Sequence, residues 1–103
     1  MTPYRFMADA ADELRAVTAG YEAHSAAAAA RFVAAVDHTI GPIRGQPRIF
    51  GRVARGRRGH EVRQTVIPGS EFLLTYEVLS AEVVILSVAH AHRRTQPRRR
   101  RLP

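Results

Sequence analysis

Residues 61–90 alternate apolar and polar positions through three runs, EVRQTVI, EFLLTYEVL and VVILSVAH, separated only by PGS and SAE. Side chains of an extended chain point alternately to opposite faces, so each run reads as a strand, and connectors this short join strands as hairpins. Phe72, Leu74, Tyr76 and Val78 share one face of the middle run, while residues 83–86 are apolar on both faces, as a strand with neighbours on either side requires. A sheet with an apolar face must be covered by another layer. The rest of the chain supplies that layer in helical form.

Ala10, Leu14, Val17 and Tyr21 recur at spacings of four, three and four, which predicts an amphipathic helix over about 8–23. Asp9, Asp12 and Glu13 gather where the helix dipole favours negative charge. Gly20 weakens the last turn, the His24-Ser25 step breaks the helix, and Ser25 is placed to cap a second one. In that second helix Ala29, Phe32, Val36 and Ile40 make one stripe, with Arg31 and His38 turned away from it. Gly41-Pro42 is expected to end it, because the residue before a proline is pushed out of the α region.

Two flanking segments complete the reading. YRFM at 4–7 is a short strand, and RGQPRIFGRVARGRRGH at 44–60, with four glycines, one proline and six arginines, is a basic surface loop. Beyond Arg94 there is a proline, a charge run and no apolar period. The expected organisation is one domain over 1–95 and a disordered basic tail over 96–103. The expected fold class is α+β, ordered β-α-α-β-β-β, an antiparallel sheet packed against an N-terminal helical hairpin.

Length and composition narrow the function. A chain of 103 residues holds one core, and the absence of cysteine removes disulfides and thiolate metal sites. No stretch reaches the roughly 20 apolar residues of a membrane span, and MTPYRFMADAADEL lacks the apolar centre of a signal peptide, so a soluble cytoplasmic protein with no membrane partner is expected. The formal charge is +7 and unevenly spread: residues 1–43 hold three arginines against five acids, residues 44–103 thirteen against four. A field of one sign steers polyanions or an acidic protein. All sixteen basic residues are arginine. That choice suits bidentate contact with phosphate or carboxylate, and it also follows from GC-rich coding, as the AAAAA run does.

His90 and His92 lie on one side of an extended chain, and His60 is a conceivable third metal ligand. No acid or further histidine sits beside them in sequence, so neither a metal site nor a cofactor is expected. The Arg98 to Arg101 run can bind nucleic acid non-specifically, but without interleaved aromatic residues it offers bases no stacking platform.

Four pieces of the chain resemble the RelE/ParE toxins of bacterial type II toxin-antitoxin systems: YRFM with ADAADELRAV, AAARFVAAVDHTI, the RGQP…G loop, and EFLLTYEV…EVVILSVAHAHRR. The resemblance spans residues 4 to about 94 and implies a cytoplasmic toxin that a cognate antitoxin neutralises in a hetero-oligomer. Such toxins either cut messenger RNA in the ribosomal A site or inhibit DNA gyrase. Metal-free RNA cleavage needs a base, a cation for the phosphorane charge and an acid. RNA-cutting relatives draw these from lysines and arginines on the second and third strands and from a C-terminal histidine, arginine or tyrosine. This chain has no lysine, carries Leu73 and Leu74 where such relatives tend to place an arginine, and has no tyrosine after residue 76. The ParE-like branch and gyrase are therefore the expected assignment. A substitute catalytic set can be drawn from Glu61 as base, Arg63 on phosphate and His90 or His92 as acid. An acidic amphipathic antitoxin segment is expected to meet Val17, Tyr21, Arg31, Arg63 and Arg94, with Arg93 beside them. Val17 and Tyr21 also fit the helix core. A ribosome-dependent endonuclease, a basic nucleic-acid-binding module and an inactive toxin scaffold are the alternatives.

Overall fold

A computed structural model describes residues 1–93. Arg94 and the tail expected at 96–103 lie outside the described residues. The elements are β1 (Tyr4–Phe6), α1 (Ala8–Glu22), α2 (Ala26–Gly45), β2 (Arg52–Arg55), β3 (Glu61–Val66), β4 (Phe72–Val78) and β5 (Val83–His90), with short 3-10 turns at Arg57–Gly59 and Ala91–Arg93. The strands form one sheet in the order β1-β5-β4-β3-β2, with the helical hairpin against it.

The hairpins of the alternating region form as the pattern requires. Thr65 opposes Leu74, Leu74 opposes Val88, and Phe72 opposes His90. The PGS turn closes with Ile67 N donating to Phe72 O at 2.9 Å, and Gly69 there takes φ 75°, a conformation in which a side chain would be strained. Val83, Ile85 and Val84 of β5 are all buried, consistent with strands on both its edges.

Three features differ from the expectation. The sheet is mixed, because β1 pairs in parallel with β5, Tyr4 opposite Val83 and Phe6 opposite Ile85. A three-residue strand cannot stand alone, and β5 offers an apolar strand whose second edge is otherwise open. The basic loop contains a fifth strand: β2 lies along β3 with Arg55 opposite Glu61 and a bulge between Arg52 and Ala54. Four residues are too few to show a period, so the free edge of β3 rather than a sequence pattern organises them. Finally, α2 runs through Pro42 to Gly45. Gly41 has no side chain to clash with the proline ring. The turn beyond it is held by fully buried Ile43, by Thr2 N donating to Arg44 O at 3.0 Å and by Arg44 Nε donating to Thr2 O at 2.9 Å.

Where α1 ends and α2 begins, Ser25 Oγ accepts from Ala28 N at 2.9 Å, capping the second helix as expected. Phe32, Val36, Ile40 and Ile43 of α2 and Ala10 of α1 then pack onto Ile67, Leu74, Tyr76, Val83, Ile85 and Val88 of the sheet side. Each fully buried aliphatic side chain in that layer contributes about 1.5–3 kcal/mol. The packing leaves the C-terminal half of α1 facing the far end of β5, and the candidate site is there.

Candidate functional site

Beta pairing places Phe72 beside His90 on the helical face of the sheet. Tyr21, one residue from the end of α1, stacks on Phe32 with ring centroids 5.0 Å apart, and Phe72 meets both rings edge-on at 6.4 and 5.9 Å. His90 continues the row edge-on to Phe72 at 5.3 Å, and His92 stacks on His90 at 4.8 Å. Aromatic pairs of this geometry add about 0.5–1.5 kcal/mol each beyond buried area. Five rings thus run from the core at Phe32 to the surface at His92.

Grooves open around Tyr21. One of about 620 Å³ runs between α1 and β5, lined by Val17, Gly20 and Tyr21 on one side and Phe72, Val88 and His90 on the other. A cavity of about 490 Å³ adjoins it over Gly69, Ser70 and Glu71, and another of about 580 Å³ lies toward Arg31, Phe32 and Pro68. The floor of the first is kept regular by Glu13, whose carboxylate accepts from Val88 N at 2.9 Å in a stretch of β5 that β1, ending at Phe6, does not reach. An apolar trough of this kind accepts an amphipathic segment.

Val17 and Tyr21 are both half-buried against the core and also line the groove wall. Arg31 is exposed and lines the neighbouring 580 Å³ cavity on the α2 side of Tyr21. Arg93 ends the last 3-10 turn. Arg63 is elsewhere. It sits opposite Tyr76, and Glu61 sits opposite Val78, at the other end of β4 from Phe72 and His90. Six residues of strand separate the ends, about 20 Å. Glu61 and Arg63 do share a face, but the structure does not bring them together with His90 and His92.

What Glu61 and Arg63 do instead is hold residues 46–50 to the sheet. Arg63 Nε and Nη2 donate to Glu61 Oε1 at 3.0 and 2.8 Å, and Arg48 Nε donates to the same oxygen at 3.0 Å. Arg63 Nη1 donates to Phe50 O at 2.6 Å and to Arg48 O at 3.2 Å, and the Tyr76 hydroxyl donates to Pro47 O at 2.7 Å. The Arg63 hydrogen bond, with the charge of Arg48, holds the Glu61 carboxyl below its ordinary value, while burial raises the Tyr76 phenol. A carboxylate lowered in this way is a weaker proton acceptor.

His60 lies at the same end, 3.8 Å from Glu77, and so is not a partner of His90 and His92. The acid that does reach them is Glu71, whose Oε1 is 2.8 Å from His90 Nε2. Sequence reading passed over Glu71 because it is nineteen residues from His90. Counting outward from the SAE hairpin would have found it, since Ala91 N donates to Glu71 O at 2.9 Å.

The chain is thus a helical hairpin on a five-stranded mixed sheet, with an apolar groove at one end and an arginine-rich loop at the other. The family model described as the ParE toxin of the type II toxin-antitoxin system, parDE, matches residues 4–95, and the chain belongs to that family. Among solved structures, a chain of the chromosomal ParDE TA system from P. aeruginosa is similar, with a TM-score of 0.70 and 20% identity over 87% of this chain and 96% of that one. At that identity the likeness is one of fold. No curated protein matches the sequence.

Proposed function

We propose that this ParE-family chain is a cytoplasmic toxin that inhibits DNA gyrase by binding and is neutralised by an antitoxin segment seated in the Tyr21 groove. The observation that carries the reading is the state of Glu61 and Arg63. The groups that would serve RNA cleavage are closed on each other and on the backbone of residues 48 and 50, about 13 Å (Arg63) and about 20 Å (Glu61) of strand from the level of His90. With no lysine in the chain to replace them, binding is the better-supported mode of action. The groove and the charge of +7 suit an acidic amphipathic partner.

Induced expression tests both halves. DNA supercoiling and the SOS response are followed beside the 5′ ends of cellular messenger RNA. Altered supercoiling with intact transcripts is expected, and cuts at A-site codons would overturn the gyrase reading. Growth should return when a cognate antitoxin is co-expressed.

A further inference from the structure

We propose that Glu71, His90 and His92 form a binding site for a divalent transition-metal ion of the Zn2+ type. The site stands on its own geometry and does not depend on the gyrase reading. One ligand atom from each residue lies within 4.8 Å of the others, and His90 Nε2 and Glu71 Oε1 are already 2.8 Å apart. Ligands about 2.0–2.1 Å from a tetrahedral ion stand about 3.3 Å from one another. The Glu71 and His90 atoms therefore part by a few tenths of an ångström to admit the ion. His92, exposed on a short turn, swings in to complete the set.

The surroundings fix the two strand-borne ligands. Ala91 N donates to Glu71 O at 2.9 Å, locking the start of β4 to the end of β5. Phe72 meets the His90 ring at an interplanar angle of 80°, and its packing sets the ring's orientation. His92 N donates to His90 Nδ1 at 3.3 Å, which leaves Nε2 facing Glu71. Coordination through Nε2 would put the ring proton on Nδ1 and give up this long contact. Two imidazoles and one carboxylate select a borderline ion such as Zn2+ over Mg2+ or Ca2+, which take oxygen ligands. Three protein ligands leave one tetrahedral position over. Glu71 and His90 line the 490 Å³ cavity beside Tyr21, from which solvent would reach a bound ion.

Calorimetric titration of the full chain, stripped of metal and then given ZnCl2, tests the site. One saturable equivalent is expected, with Glu71→Gln and His92→Ala each weakening binding at least about tenfold. MgCl2 should give no saturable heat, and His60→Ala should leave the Zn2+ titration unchanged. Both ligand substitutions are at exposed side chains, and matching circular dichroism spectra verify that the fold is kept. Absence of saturable Zn2+ binding overturns the proposal. So does binding that survives both ligand variants or is lost on His60→Ala.

Discussion

Removing one oxygen atom separates the structural role of the Arg63 end of the sheet from a chemical one. Tyr76→Phe keeps a ring that is fully buried and takes away only the hydroxyl that donates to Pro47 O at 2.7 Å. The lost bond is worth about 1 kcal/mol, and the half-buried carbonyl left behind adds up to about 1 kcal/mol more. In a domain of this size each kcal/mol lowers the midpoint by about 4–8 °C, so Tm should fall by about 4–16 °C. Arg63→Ala frees the same loop from the other side by releasing Phe50 O and Arg48 O. Once either change has loosened residues 46–50, the other has less to lose. The double variant should therefore fall short of the summed losses by about 0.5 kcal/mol or more. Urea and thermal melts of the four proteins, with growth inhibition assayed below every midpoint, provide the measurement. Unaltered stability in Tyr76→Phe, or strict additivity, would refute the latch. Loss of growth inhibition in Arg63→Ala at full stability would return Arg63 to chemistry.

Other substitutions probe the remaining elements. Glu61 has a folded value below its ordinary 4.5, so the stability it contributes is fully present above that pH and is lost as pH falls through the lowered value. Glu61→Gln should accordingly be less stable than the parent at neutral pH, with the difference shrinking as pH falls through the lowered value, as melts across an acid series would record. Ser25→Ala removes the bond from Ala28 N and should cost about 1 kcal/mol in urea denaturation. Arg31→Glu, at an exposed position beside the Tyr21 groove, should weaken antitoxin binding, mainly through a slower association rate that surface plasmon resonance can resolve, with Tm unchanged.

Much of the fold could be read from local pattern because the pattern there is physically sufficient. Alternation over 61–90 with three-residue connectors leaves almost no choice of pairing, and Ser25 before an apolar stripe is a cap wherever it occurs. The elements that escaped are those decided by partners distant in sequence. β2 exists because β3 has an edge to fill, the last turn of α2 survives Pro42 because Ile43 and Arg44 are anchored to the sheet side and to Thr2, and β1 runs parallel because β5 is its one available partner. The candidate site divides in the same way. Val17 and Tyr21 announced themselves by helical spacing, whereas the state of Glu61, set first by Arg63, also depends on Arg48, thirteen residues before it, and Glu71 reaches His90 only through strand register. Same-face geometry was legible for Glu61 and Arg63, and what closes on them from residues 46–50 was not.

The position of β5 also has a consequence in time. Tyr4 and Val83 are neighbours in the sheet, although one is made at the start of synthesis and the other after nearly eighty further residues. Until β5 emerges, β1 has nothing to pair with, β4 is an edge, and the groove between α1 and β5 lacks one wall. Contacts of such long sequence separation form late and slowly. A chain interrupted in mid-translation would therefore carry neither a finished fold nor the surface proposed to receive its inhibitor. Fold completion and the appearance of that proposed surface are therefore a single event, reached only when β5 has left the ribosome.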